Sequence, residues 1–234
     1  FIYYKTVEQQ ISEVKENGES YDLVFFNSVV ESLHSSKLIH KIPVRAFLHD
    51  ENFMRDYVEN PSWKRLLYRK LMHRYEGKAV QLLERVLTNS KYMKNSIVDI
   101  YSKHPLKVNY CYFRSFDLPG SASVTSIDDT IHILFIKHDA DRGGLALLLN
   151  EIKKMKTRKI SLHLVGVGPS YIEKYNSVLS SIEYQYDTYL NRDELHHAFL
   201  KTDIFCVPSF SEALGLANIE ALQYSKPVVV LDIP

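Results

Sequence analysis

Short apolar runs alternate along this chain with longer segments in which apolar residues recur at helical spacing. In the first half, residues 22–27 (Asp-Leu-Val-Phe-Phe-Asn), 44–49 (Val-Arg-Ala-Phe-Leu-His) and 85–89 read as strands. Around them the pattern predicts a polar helix over 2–17, a short helix through residue 38 and a long helix over 62–84. A further helix is predicted over 91–101, with Ser90 as its cap. The second half repeats the scheme. Strands are predicted at 131–136, 161–166, 204–208 and 227–232, and helices at 144–156, 170–180, 192–201 and 216–223. Val228-Val229-Val230-Leu231 reads as a buried strand of a parallel sheet. Strands in alternation with helices predict an α/β protein with parallel sheets. The run Leu118-Pro-Gly-Ser-Ala-Ser-Val-Thr-Ser, rich in turn residues, divides it. The expected organisation is an N-terminal unit over 1–118, a linker over 119–130 and a C-terminal unit over 131–234. The chain opens at Phe1 without a methionine and stops at Pro234 just after an apolar strand, so both units are expected to be incomplete parts of a longer chain.

Ligands of open parallel sheets bind beyond the carboxyl ends of the strands, so the chemistry is expected in the loops after them. His49-Asp50 ends a first-half strand. Its imidazole can donate, accept or move a proton, or simply close the strand with hydrogen bonds. Lys137-His-Asp-Ala-Asp-Arg142-Gly-Gly joins a strand to a helix. Two cations, glycines that let a ligand approach the backbone, and the positive end of a helix suit a phosphate or diphosphate. A solvated charged turn is the bland alternative. Gly166-Val-Gly168-Pro169 either admits a ligand or only makes the turn. It is not G-x-G-x-x-G, and no G-x-x-x-x-G-K-[ST] occurs, so neither a dinucleotide fingerprint nor a P-loop is supported.

The most informative loop is PSFSEALGLANIEAL, residues 208–222. Glu212 follows a strand, Gly215 allows close approach before a helix, and the N–H groups around Leu214, Gly215 and Leu216 are unpaired helix-start donors. Glu220 lies one turn into that helix. A carboxylate can accept two hydroxyls at once, which is how a sugar or a ribose is held. Two carboxylates with donors between them therefore suit a ligand with hydroxyls at both ends and an anion in the middle. The bland alternatives are a charge at a helix N-terminus for Glu212 and a solvated helix face for Glu220.

Composition changes this picture little, and charge distribution changes it more. With 45% hydrophobic and 24% charged residues the chain is ordinary globular protein, and a net charge of +1 gives no reason to expect a nucleic-acid partner. There is no apolar run of spanning length and no leader pattern, and the two cysteines, Cys111 and Cys206, form no C-x-x-C. A cytoplasmic chain without disulfides or structural zinc is the expectation. Residues 1–120 carry net +4 and residues 121–234 net −3. Most of the excess lies in 61–94, where nine Lys and Arg face only Glu76 and Glu84. The helix with Lys64, Arg65, Arg69, Lys70, Arg74 and Lys78 either packs Leu66, Leu67 and Leu71 inward behind a solvated face, or meets an anionic membrane surface peripherally.

The segment DIFCVPSFSEALGLANIEALQYSKPVVVLD, with seven residues between Glu212 and Glu220, resembles the signature of the retaining glycosyltransferases of family 4. Those enzymes have the GT-B fold, two Rossmann-like domains facing a cleft. ILFIKHDADRGGLALLL resembles the first strand and phosphate loop of their donor domain, and LHLVGVGP the next strand and turn. FLHD resembles the strand end that carries the acceptor-side histidine, and RYEGKAVQLLERVLTNSKYMKNSI the helix, strand and helix that follow. The resemblance runs from Tyr21 onward and is most specific over 131–232.

It implies transfer of a sugar from a nucleotide sugar to a saccharide, lipid-linked or protein acceptor, with retained anomeric configuration and no metal or other cofactor. The N-terminal unit would take the acceptor and the C-terminal unit the nucleotide sugar. His49 and Glu212 would be catalytic, Glu212 at sugar hydroxyls near the reacting carbon and His49 at the developing positive charge. Lys137, Arg142 and the backbone at Leu214, Gly215 and Leu216 would hold the diphosphate, Glu220 the ribose, and residues 186–190 the base. Where the family has glycine-arginine and then lysine-glycine, this chain has Ile136-Lys137 and Arg142-Gly143, with the cations exchanged and one glycine lost. Two other readings share the fold: a catalytically silent GT-B-type binding subunit that supports another glycosyltransferase, and a phosphorylase or epimerase.

Overall fold

The structure is a computed structural model that describes residues 9, 12, 13, 16, 17, 21–34, 42–50, 62–112, 129–155 and 159–232. Of these, residues up to 112 form one compact unit and residues from 129 onward another. The larger part of the helix expected over 2–17, residues 35–38 and linker residues 119–128 lie outside the described residues.

In the first unit, β1 (Val24–Phe26), β2 (Val44–Leu48), β3 (Arg85–Thr88) and β4 (Val108–Tyr110) form a parallel sheet in that order. Helix α1 (Trp63–Leu82) starts at Ser62, whose side chain accepts from the Arg65 N–H, and α2 (Lys91–Tyr101) at Ser90, which accepts from Met93. Capping of this kind satisfies helix-start donors that have no partner within the helix. Helix α2 buries Met93, Ile97 and Tyr101, a stripe at intervals of four that faces one side of the helix. Helix α1 departs from the reading that packs its leucines inward. It buries only Glu76, Ala79 and Val80, while Leu66, Leu67 and Leu71 are about half exposed. Its core contact is made by the C-terminal half alone. Strand β4 is unexpected from the pattern, because Val108-Asn109-Tyr110 is three residues long with a single buried apolar side chain.

The second unit is a five-stranded parallel sheet. It contains β5 (Thr130–Ile136), β6 (Lys159–Val165), β7 (Glu183–Asp187), β8 (Ile204–Cys206) and β9 (Val228–Val229), in the spatial order β7-β6-β5-β8-β9. Its helices are α3 (Leu145–Lys154), α4 (Pro169–Leu179), α5 (Arg192–Lys201) and α6 (Leu216–Gln223). Leu134, Phe135, Leu162, Leu164 and Phe205 from the strands pack with Leu145, Leu149, Leu179 and Phe199 from the helices. Each side chain of that size contributes about 1.5–3 kcal/mol when fully buried. From β5 the chain builds outward to β6 and β7, then returns to the other side of β5 for β8 and β9. The loops after β5 and β8 therefore leave neighbouring strand ends in opposite directions, which opens a crevice at a topological switch point.

Two strands correct the sequence reading. Strand β7, Glu-Tyr-Gln-Tyr-Asp, has no apolar run and lies at the sheet edge, so the pattern misses it. The run Val228-Val229-Val230-Leu231 is not a buried strand. Only its first two residues pair, at the opposite edge, and Val229 and Val230 are half exposed. An edge strand has a neighbour on one side only, so apolar composition does not ensure burial there. Cys111 is exposed and Cys206 buried, both as free thiols, and burial pushes the Cys206 thiol up to about 11. Among the described residues no helix is long and apolar enough to cross a membrane.

Candidate functional site

Adjacency of β5 and β8 brings two loops together at their carboxyl ends. Lys137, directly after β5, donates from Nζ to Glu212 Oε1 in the loop after β8, and the two form an ion pair. Ser209 Oγ donates to the same carboxylate oxygen at 2.8 Å. Arg142 Nε donates to the Ser211 carbonyl at 3.0 Å, and the Phe210 N–H donates to the Arg142 carbonyl at 2.9 Å. Lys137, Arg142 and Glu212 are all partly buried, while Ser209 and Ser211 are buried beneath them. Cation, carboxylate and hydroxyl are thus held in a partly desolvated place, where their charges act more strongly than in open water.

The glycines of the first loop seat it instead of leaving open space. A Cβ at Gly143 would stand 2.7 Å from Lys137 Cγ and 2.8 Å from Phe135 Cζ. One at Gly144, where φ is +75°, would collide with the Pro208 carbonyl. Gly143 therefore gives the Lys137 stem its path, and Gly144 lets the two loops touch. The turn is braced from α4. Asp139 Oδ1 accepts from the Arg142 N–H at 3.1 Å, and Asp141 Oδ1 accepts from Lys174 at 2.6 Å and from Tyr175 at 2.8 Å. The hydrogen bond to Asp141 raises the Lys174 pKa, so that lysine stays charged against its partner. Ile136, which stands where the resembled family has glycine, packs against the core.

Helix α6 supplies the next part. Gly215 precedes it with φ +61°, and an added Cβ would press on the Asn218 amide at 2.7 Å. No side chain caps this helix; the Asn218 N–H bonds back to the Gly215 carbonyl at 3.0 Å, and the backbone of Leu214, Gly215 and Leu216 stands at its positive end. Glu220 is no solvated face. It is half-buried, and burial pushes its carboxyl above the usual range. Its charge in turn adds to burial in raising the Tyr224 phenol. Residues 186–190, expected near a base, run from the end of β7 into the turn before α5, with Tyr186 and Tyr189 exposed.

In the first unit, three residues that each follow a strand are tied together. His49 Nε2 donates to Asn27 Oδ1 at 2.9 Å, and Asn89 Nδ2 donates to the His49 carbonyl at 2.8 Å. The amide oxygen can only accept, so Nε2 carries the proton. The His49 ring is exposed and lies 4.4 Å, centroid to centroid, from Phe47.

Within the second unit the structure thus gathers Lys137, Arg142 and Glu212, with Leu214, Gly215 and Leu216 at the adjoining helix start and Glu220 further along α6. His49 belongs to the other unit. The sequence reading missed Ser209, Ser211 and Asp139 as members of the site. The signal for the serines lay in the alternation Pro-Ser-Phe-Ser-Glu, where small polar residues flank an aromatic directly before the carboxylate.

Residues 121–234, just under half of the chain, match the family model described as Glycosyl transferases group 1. The chain is 26% identical over 220 residues to an uncharacterized 41.2 kDa protein in the cps region of Klebsiella pneumoniae, covering 88% of this chain and 57% of that protein. It is 34% identical over 86 residues to sulfoquinovosyl transferase SQD2 of Arabidopsis thaliana, 37% of this chain and 16% of that one. Among solved structures, sucrose-phosphate synthase of Thermosynechococcus elongatus superposes with a TM-score of 0.69 at 16% identity, over 98% of this chain and 60% of that one. The chain spans less than two thirds of the length of each. Residues 121–234 are thus similar to glycosyl transferases group 1, on a chain with the parallel-sheet α/β fold of GT-B glycosyltransferases.

Proposed function

We propose that the protein moves a sugar from a nucleotide-sugar donor to an acceptor with retention of anomeric configuration, as part of a family 4 type glycosyltransferase. The observation that carries this reading is the Lys137–Glu212 pair at the switch point. It sets a cation suited to a departing phosphate beside a carboxylate suited to sugar hydroxyls, which supports a reading in which the sugar–phosphate junction of the donor lies there. As the bond from the anomeric carbon to the diphosphate oxygen breaks, negative charge grows on phosphate and positive charge on the sugar ring. Lys137, Arg142 and the N–H groups at Leu214, Gly215 and Leu216 stabilise the departing diphosphate without a metal or other cofactor. Glu212 accepts from hydroxyls near the reacting carbon, and ligand entry releases it from Lys137. Glu220 accepts from the ribose, residues 186–190 flank the base, and His49 of the acceptor-side unit acts on the sugar as positive charge develops. The acceptor is a saccharide, a lipid-linked or a protein hydroxyl.

A thermal-shift panel of nucleoside diphosphates and nucleotide sugars tests the binding half, because a ligand bound to the folded state stabilises it by mass action. Donor-dependent release of free nucleotide tests the chemistry, and the anomer of the product tests retention. Glu212→Ala is expected to lower turnover about a hundredfold or more while changing nucleotide affinity little. Binding of a nucleoside diphosphate with no turnover of any donor would identify the silent subunit instead. Turnover that needs inorganic phosphate, or proceeds without acceptor, would identify the phosphorylase or epimerase.

A further inference from the structure

Helix α1 presents a surface to which the transfer reading assigns no role. It carries Lys64, Arg65, Arg69, Lys70, Arg74 and Lys78, and its one acid, Glu76, is fully buried. All the charge this helix shows to solvent is therefore positive. Trp63, Leu67, Leu71 and Tyr75, spaced four apart, are 68%, 50%, 45% and 47% exposed. At 100° per residue Trp63, Leu67 and Leu71 lie on the side opposite the buried Glu76 and Val80, and the row turns toward the core at its end, where its next member, Ala79, is buried. Lys64, Lys70, Arg74 and Lys78 are exposed along the same stripe, and Lys64 Nζ lies 5.8 Å from the Trp63 ring.

A soluble polyanion would neutralise these cations and leave the tryptophan and leucines in water. An anionic bilayer surface meets both needs. Headgroups pair with Lys and Arg, and the boundary with the acyl chains takes the indole and the leucines, while the long basic side chains reach outward along their stems. We propose that α1 docks the protein on an anionic lipid bilayer. The helix lies in the plane of the interface, with Trp63, Leu67 and Leu71 toward the acyl chains and Lys64, Lys70, Arg74 and Lys78 at the headgroups. This surface is independent of the transfer reading and stands or falls separately from it.

Trp63 is the single tryptophan of the sequence, so its fluorescence reports on this helix alone. With vesicles of phosphatidylglycerol and phosphatidylcholine in equal parts, the emission is expected to shift to the blue and to be quenched by lipids brominated on their acyl chains. Phosphatidylcholine vesicles alone should leave it unchanged, and high salt should reverse the shift. Each exposed cation contributes roughly fivefold to partitioning, so K64Q/K70Q/R74Q/K78Q should bind roughly a hundredfold or more weakly. L67S/L71S should keep part of the attraction and lose most of the acyl-chain quenching. These side chains are exposed, so both variants are expected to melt like the parent. No emission change with anionic vesicles overturns the proposal, as does equal binding to neutral vesicles or binding that neither variant weakens. A response to heparin together with vesicle binding free of acyl-chain quenching also overturns it, in favour of a soluble polyanion.

Discussion

The described helices begin in two ways. Helices α1, α2 and α5 start at Ser62, Ser90 and Asn191, whose side chains accept from backbone N–H groups of the first turn, and Asn191 forms a full capping box with Glu194. Helices α3, α4 and α6 start at Gly144, Gly168 and Gly215, with no side-chain cap. The second group follows β5, β6 and β8, the strands at and beside the switch point. A side-chain cap stabilises a helix by about 1 kcal/mol, and it does so by occupying the donors. Glycine gives up that side-chain cap, and these first turns close on backbone carbonyls instead: the Leu145 N–H on Ala140, the Tyr171 N–H on Gly168 and the Asn218 N–H on Gly215. The difference separates helices whose start is closed by a side chain from helices whose start is closed by the backbone alone.

The largest break in this contrast is expected from a side chain at a glycine start. Gly144→Ala places a Cβ against the Pro208 carbonyl at a positive φ that alanine disfavours. The loops after β5 and β8 must separate, at a cost of about 3 kcal/mol or more. Urea unfolding should show that loss, and thermal shift by nucleoside diphosphates should vanish with it. Unaltered stability would mean that the loops do not pack as described.

Next in size is removal of the cations between those loops. Lys137→Ala and Arg142→Ala should each weaken nucleoside diphosphates by about ten- to a hundredfold, the range of a charge-assisted hydrogen bond, and leave the bare nucleoside unaffected. Titration calorimetry with both ligands decides it. Equal losses for diphosphate and nucleoside would take the phosphates out of this loop. Smaller again is Asn191→Ala, which strips the capping box of α5. About 1 kcal/mol of stability should go while diphosphate affinity stays as it was. A parallel fall in affinity would erase the distinction between the two kinds of helix start.

The same contrast explains what could be read from sequence. Strands built on apolar runs, such as Ile131 to Ile136, and helices with a polar cap before a regular stripe, such as Ser90 and α2, are visible because their causes are local. Strands β4 and β7 are invisible because neighbours, not their own composition, make them strands. Lys137, Arg142, Glu212 and Glu220 could be picked out as candidates one residue at a time. That Lys137 pairs with Glu212 was not legible, since 75 residues separate them and only the placement of β8 beside β5 joins their loops. The roles of Gly143 and Gly144 likewise depend on Phe135, Lys137 and Pro208 arriving beside them. The leucines of α1 mislead for the same reason. Helical spacing identifies a face, and tertiary packing decides whether that face is covered.

The smallest expected effect sharpens the contrast from within α6. Burial raises the Glu220 carboxyl above its ordinary value, so between that value and the raised one the folded protein holds a proton that the unfolded chain has released. Stability contributed by the protonated group is complete below the unfolded pKa and is lost as pH rises through the folded one. Glu220→Gln keeps the shape and cannot ionise. It should therefore melt like the parent in acid and above it at neutral pH, a difference visible in thermal melts across that window. Nucleotide binding should run the opposite way. If the ionised carboxylate accepts from ribose hydroxyls, the affinity of the parent strengthens over the same window, while Glu220→Gln stays weak and flat with pH. A variant that gains stability at neutral pH and binds nucleotide as well as the parent would leave Glu220 a buried charge with no ligand to hold.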